Sequence, residues 1–173
     1  MSVHKNFKTL KVIKPNNLKK KTSPKSKKTN TLIRSDIDYG ILPQAHTQRA
    51  TDIWEELQYN LKFGKHDNAI SVLLRVLLEF AIENYIERET VSSVHINDKL
   101  AKKFNKVLAH MLAEARIDPK YHEGLKKFEN TEHLLSANTM NKYVHSKSFF
   151  PSDHHLKSMW NTLSEFVVIC LKV

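Results

Sequence analysis

Apolar residues crowd the stretch between Ala69 and Ile86: Ile70, Val72, Leu73, Leu74, Val76, Leu77, Leu78, Phe80, Ala81, Ile82 and Tyr85. No glycine or proline interrupts them. The run is too long for one ordinary strand, so it predicts a helix over residues 67–88, with Asp67 or Asn68 as N-cap. Arg75, Glu79 and Glu83 make it too polar for a membrane span. Its polar residues Ser71, Arg75, Glu79, Glu83 and Glu87 follow one another at steps of four. On a helix that step draws one narrow, slowly drifting stripe. A helix apolar around the rest of its circumference belongs in the middle of a bundle. The stripe is then its only view of water or of a polar cleft. Arg75 and Glu79 are either a surface i,i+4 ion pair or part of a functional groove, and spacing leaves both open.

The other segments predict helices that wrap this one. Residues 47–63 place Ile53, Trp54, Leu57 and Leu61 on one face, with Asp52, Glu55 and Glu56 early and Gly64 as the stop. A third helix runs from Asn97 or Asp98 to Arg116, with Leu100, Phe104, Val107, Leu108, Met111, Leu112 and Ala115 on one stripe. Its Lys99, Lys102, Lys103 and Lys106 lie off that stripe, as a solvated face or a binding patch. Asp118 and Pro119 give an N-cap and a first helical proline, opening a short helix with Tyr121, Leu125 and Phe128. Residues 132–146 read as a further helix, interrupted near 136–139. Ser152 caps a last helix to about Leu171, buried through Leu156, Met159, Trp160, Leu163, Phe166, Val167 and Cys170. Residues 36–46 form a connecting arm punctuated by Gly40 and Pro43, with Ile37, Tyr39, Ile41 and Leu42 packing across the bundle. The sum is an all-α, up-and-down helical bundle of five to six helices over residues 47–173.

Charge changes the picture at one end only. The net charge is +10 over 173 residues, but it is not spread evenly. Residues 1–35 hold eleven Lys/Arg and no Asp or Glu, whereas residues 36–173 hold seventeen Lys/Arg against eighteen Asp/Glu. The basic character therefore belongs to a tail, residues 1–35, whose composition predicts disorder. Its Lys19, Lys20, Lys21, Lys25, Lys27 and Lys28 suit a nucleic-acid backbone contacted without sequence reading, or simply a solvated linker. Three glycines argue against a turn-rich all-β fold and exclude Gly-rich phosphate loops. Cys170 alone rules out an internal disulfide framework and a cysteine zinc site. With no signal peptide and no span, the expectation is a cytoplasmic protein with no membrane partner.

Ten histidines raise the question of metal. His154 and His155 are adjacent and would point about 100° apart on a helix, and no HExxH occurs. No metal and no cofactor is expected. No Gly-x-Ser-x-Gly elbow is present either. Asn141 and His145 lie one helical turn apart on one face, with Tyr143 and Val144 turned elsewhere. They are either hydrogen-bonded inside the bundle or part of a site.

AISVLLRVLLEFAIENYI on one helix and NKYVHS on a later one resemble HEPN-superfamily helical domains. The similarity is to the branch found beside or fused to bacterial DNA-processing and phage-defence proteins, some of them ParB-like. There a helix reading Leu-Leu-Arg-x-x-x-Glu precedes one reading Leu-Asn-x-Tyr-Val-His and a last helix started by proline. This chain supplies Leu74, Arg75 and Glu79, then Asn141, Tyr143 and His145, then Pro151 and Trp160. The resemblance covers about residues 47–173 and implies a helical bundle, often a homodimer. In active HEPN ribonucleases a histidine promotes attack by the 2′-hydroxyl and an arginine a few residues upstream supports the phosphate. His145 matches the histidine, but the arginine's place is held by Asn138, Thr139 and Met140. The resemblance therefore implies a non-catalytic interaction domain, dimeric or docked on a partner protein, in a defence or DNA-maintenance system. The alternatives are a metal-independent endoribonuclease, with His145, Asn141, Arg75 and Glu79 as its candidate catalytic residues, and a nucleic-acid-binding accessory protein acting through its tail.

Overall fold

A computed structural model of the chain describes residues 30–126 and 152–173. Helix α1, Gln48–Glu55, runs on into one π-helical turn, Glu56–Asn60. Then come α2, Asp67–Glu89, α3, Leu100–Ala113, α4, Pro119–Lys126, and α5, Asp153–Lys172. The described residues are all-helical, without a strand. None of these helices is long and apolar enough to cross a membrane. The helix expected over 132–146 lies outside the described residues, as do Phe128, Asn141, His145 and the six lysines between Lys19 and Lys28.

The apolar run does organise the fold. Helix α2 packs against α1, α3 and α5, while α4 rests on α3 and α5. From α2, Leu74, Leu77, Leu78, Ala81, Ile82 and Tyr85 are buried. They meet Phe104, Val107, Leu108 and Met111 of α3 and Leu156, Leu163, Phe166 and Val167 of α5 in one core. The Phe104 and Phe166 rings lie 4.7 Å apart, and Trp54 of α1 meets Trp160 of α5 edge-on at 5.4 Å. Burial of these large side chains is the main favourable term in the fold.

The helix ends follow local chemistry, with two departures from the sequence-based expectation. Asp118 caps α4 as expected, its carboxylate accepting the Tyr121 N–H at 2.8 Å, with Pro119 in the first turn. Asp67, by contrast, does not cap α2. Its carboxylate turns back to accept the Gly64 N–H at 2.9 Å, and His66 holds the N-cap position. Gly64 itself has φ +81°, which a glycine adopts without strain.

Helix α3 starts at Leu100 rather than at 97 or 98, because Asp98 closes the turn before it. Asp98 accepts the His95 N–H at 2.9 Å and pairs with Lys102 at 2.8 Å and Lys106 at 2.5 Å. Lys106 also donates to the Ser93 carbonyl, and Lys103 pairs with Glu83 of α2 at 2.5 Å. All three lysines of α3 are thus tied into ion pairs, with Lys99 just before the helix, and the run is not a free basic patch.

Asp98 gives a pH dependence. Hydrogen bonds from Lys102 and Lys106, and then from the His95 N–H, hold its carboxyl well below the usual carboxylate range. A group depressed in the folded state stabilises above its unfolded value, near pH 4, and loses that contribution as pH falls toward the folded value. The stability gap between wild type and Asp98→Asn is therefore expected to be constant near neutrality and to narrow below about pH 4. Urea midpoints of both proteins measured down that range check it.

The packed chain starts earlier than its composition implies. Leu32 and Ile33, assigned to the basic tail, are 3% and 0% exposed and belong to the core. The Ile33 N–H reaches the Leu57 carbonyl at 3.3 Å, and Asn30 exchanges hydrogen bonds with Phe63 at 2.9 and 3.1 Å. The arm after them also packs differently from expectation. Tyr39 and Ile41 rest on the core, but Leu42 is 72% exposed and Ile37 is exposed as well. Polar bonds hold this strap instead. The buried Gln58 amide donates to the carbonyls of Arg34 at 2.9 Å and Ile37 at 3.1 Å, while its oxygen accepts from the Trp54 indole at 2.9 Å.

Candidate functional site: the polar stripe of α2

Each residue of a helix advances about 100°, so each step of four overshoots a full turn by about 40°. From Ser71 to Glu87 the stripe therefore swings through about 160°. The structure shows that swing. Ser71 is 0% exposed, its hydroxyl donating to the Asn68 carbonyl at 2.8 Å. Arg75, Glu79 and Glu83 are half-buried, and Glu87 is exposed. The stripe is not the only surface that α2 shows to water, which corrects the sequence-based expectation. Val72 is 38% exposed, and Val76 and Phe80 are half-buried beside it.

Of the two readings that spacing leaves open, the i,i+4 ion pair is not formed between Arg75 and Glu79. Among the described residues neither makes a hydrogen bond or salt bridge, and the Arg75 Nε is buried without an acceptor. Their order along the helix contributes to this, since an acid placed before a base at i,i+4 pairs better than the reverse. Convergence of Arg75 with Asn141 and His145 involves positions outside the described residues.

The lower half of the stripe borders a cavity. Glu83 and Glu87, with Phe80 and Asn84, face the start of α1 across a space of about 230 Å³, whose other wall is His46, Thr47, Arg49 and Ala50. The Arg49 guanidinium lies 5.0 Å from the Phe80 ring centroid. Asn84, on the inner edge of α2, donates from its amide nitrogen to the Cys170 carbonyl at 2.8 Å. Neither residue stands out in the sequence. Arg49 lies among other polar residues on α1, and the one signal at Asn84 is an amide within an otherwise apolar run.

A second cavity, of about 330 Å³, opens between the strap and α1. Tyr39, Trp54 and Tyr59 wall it, with Asp36, Asp38 and Glu55 among its polar lining. Asp36 is held by Arg34 in a two-pronged contact at 2.6 and 3.0 Å. That bond keeps the Asp36 carboxyl below its ordinary value. Asp38 accepts the Gly40 N–H at 2.8 Å.

Two tyrosines are used structurally. The Tyr121 hydroxyl is spliced into α5, donating to the Thr162 carbonyl at 2.9 Å and accepting the Phe166 N–H at 3.0 Å. It stands where those two backbone groups would otherwise bond each other. Burial pushes its phenol up from the ordinary value. Tyr85 meets His110 Nδ1 at 3.1 Å, and burial pushes its phenol up to about 12. Neither is a ready proton donor or acceptor near neutral pH. Burial also raises the Cys170 thiol, which makes it a poor nucleophile. Among the described residues no three His, Cys, Asp or Glu side chains gather as a metal site.

What the described stripe offers chemically is therefore recognition. It holds one cation and two carboxylates unpaired among the described residues, with a partly apolar surface between them. No protein-family model matches the sequence, and neither the curated proteins nor the solved structures provide a match.

Proposed function

We propose that the chain is a non-catalytic, HEPN-like helical interaction domain that acts as a homodimer in a bacterial defence or DNA-maintenance system. The observation that carries this reading is the outward face of α2. The exposed Val72 and half-buried Val76 form an apolar strip there, and Arg75 and Glu79 stand beside it with opposite charges and no partner among the described residues. A two-fold interface repeats each contact in both directions. Laid antiparallel, two copies of α2 set each Arg75 against the Glu79 of the other copy while the valines close between them. Arginine suits such an interfacial pair because its planar fork matches a carboxylate. The absence of arginine at 138–140 supports a domain that binds rather than cleaves.

Sedimentation equilibrium of the full chain tests the reading. The expected mass is twice the 20.1 kDa of one chain, and a 20.1 kDa species throughout the micromolar range would count against it. RNA incubated with the protein is expected to stay intact. The unpaired Arg75 guanidinium favours one second reading, a metal-independent HEPN-type endoribonuclease in which it supports the scissile phosphate. Under that reading RNA is cut, and both Arg75→Ala and His145→Ala abolish the cutting.

A further inference from the structure

We propose that the cavity between α1 and α2 binds a small free α-amino acid. The inference rests on the cavity's own groups and not on the association through Arg75 and Glu79.

Asn84 is only 8% exposed, and its orientation is fixed. Cys170 is among the last four residues of α5, whose carbonyls lack a helical donor. Only the amide nitrogen of Asn84 can serve that carbonyl, and it does so at 2.8 Å. Among the described residues the amide oxygen then meets no hydrogen-bond donor, and on the cavity wall it stays open to solvent.

Arg49 supplies the opposite character. Its guanidinium rests over Phe80 and forms no ion pair among the described residues, although Glu83 and Glu87 line the same cavity. Glu83 is already engaged by Lys103. Glu87 is exposed and has no partner among the described residues.

Among the described residues the space thus offers a free guanidinium, a carbonyl acceptor open to the cavity and a free carboxylate. A plain anion meets Arg49 but is repelled by Glu87 and refused by the Asn84 oxygen. A plain cation meets the acceptors but is repelled by Arg49. A molecule carrying both charges on one short frame satisfies all three. Its carboxylate takes the guanidinium fork, and its ammonium donates to Asn84 and Glu87. The volume of about 230 Å³ suits a small side chain, which would lie along Ala50 and Phe80.

Isothermal titration calorimetry of the full chain against the standard α-amino acids tests this. Two kinds of control carry one charge each: the corresponding amine and the corresponding carboxylic acid. Arg49→Gln and Glu87→Gln are made in parallel. Both sites are exposed, and circular dichroism checks that the helices persist. At least one small amino acid is expected to bind. Its affinity should fall about tenfold or more in each variant, and by as much for each control, as loss of one charged hydrogen bond implies. No binding by any amino acid overturns the proposal. So does an affinity that both variants leave unchanged, or an amine or acid that binds as tightly as the zwitterion.

Discussion

Replacing Ser71 with lysine lowers the stability of the bundle by about 3–5 kcal/mol, the cost of an uncompensated buried charge. Ser71 is the one stripe residue wholly out of solvent, and its small hydroxyl is satisfied locally by the Asn68 carbonyl. A lysine there strands an ammonium group in the core one turn from the Arg75 guanidinium, a like charge. Glu87→Ala, at the other end of the same stripe, changes stability by no more than about 0.5 kcal/mol. Urea denaturation of the two variants separates the ends of the stripe. Small and equal effects would mean that the whole stripe faces water.

Leu77→Ala destabilises by about 2–5 kcal/mol. Leu77 is fully buried on α2, the helix against which α1, α3 and α5 all pack, so the vacated volume lies where three neighbours cannot all collapse at once. Ile96→Ala removes a similar apolar side chain from an exposed turn and stays within about 0.5 kcal/mol. Denaturation midpoints of the pair test whether α2 is the centre of the core.

Much of this architecture was legible in the chain. An apolar run without glycine or proline places α2 within one residue of its observed end, and Asp118 with Pro119 places the start of α4. All seven residues expected on the buried face of α5 are buried, because a strong helical period leaves no other face for them. What stayed hidden depends on partners distant in sequence. Gln58 clasps carbonyls 21 and 24 residues away, Tyr121 enters α5 across 41 and 45 residues, and Asn84 serves a carbonyl 86 residues on. Leu32 and Ile33 were masked by the lysines before them, since composition averages over a segment while packing acts on single side chains. The site was legible only as a pattern. A step of four shows that Arg75 and Glu79 are neighbours, but not that they ignore each other, nor that the stripe rotates Ser71 into the core. The cavity at Arg49, Asn84 and Glu87 joins two helices that no sequence spacing relates.

The claim that this chain works by self-association through α2 is tested most directly by the sedimentation-equilibrium mass of charge-exchanged full-length protein. Arg75→Glu and Glu79→Arg each set like charges against one another across the two-fold axis, and each is expected to give a mass near 20.1 kDa. The double exchange restores opposite charges and is expected to return the mass to twice that value. A double exchange that stays at the mass of one chain, or single exchanges that leave the dimer intact, would contradict it.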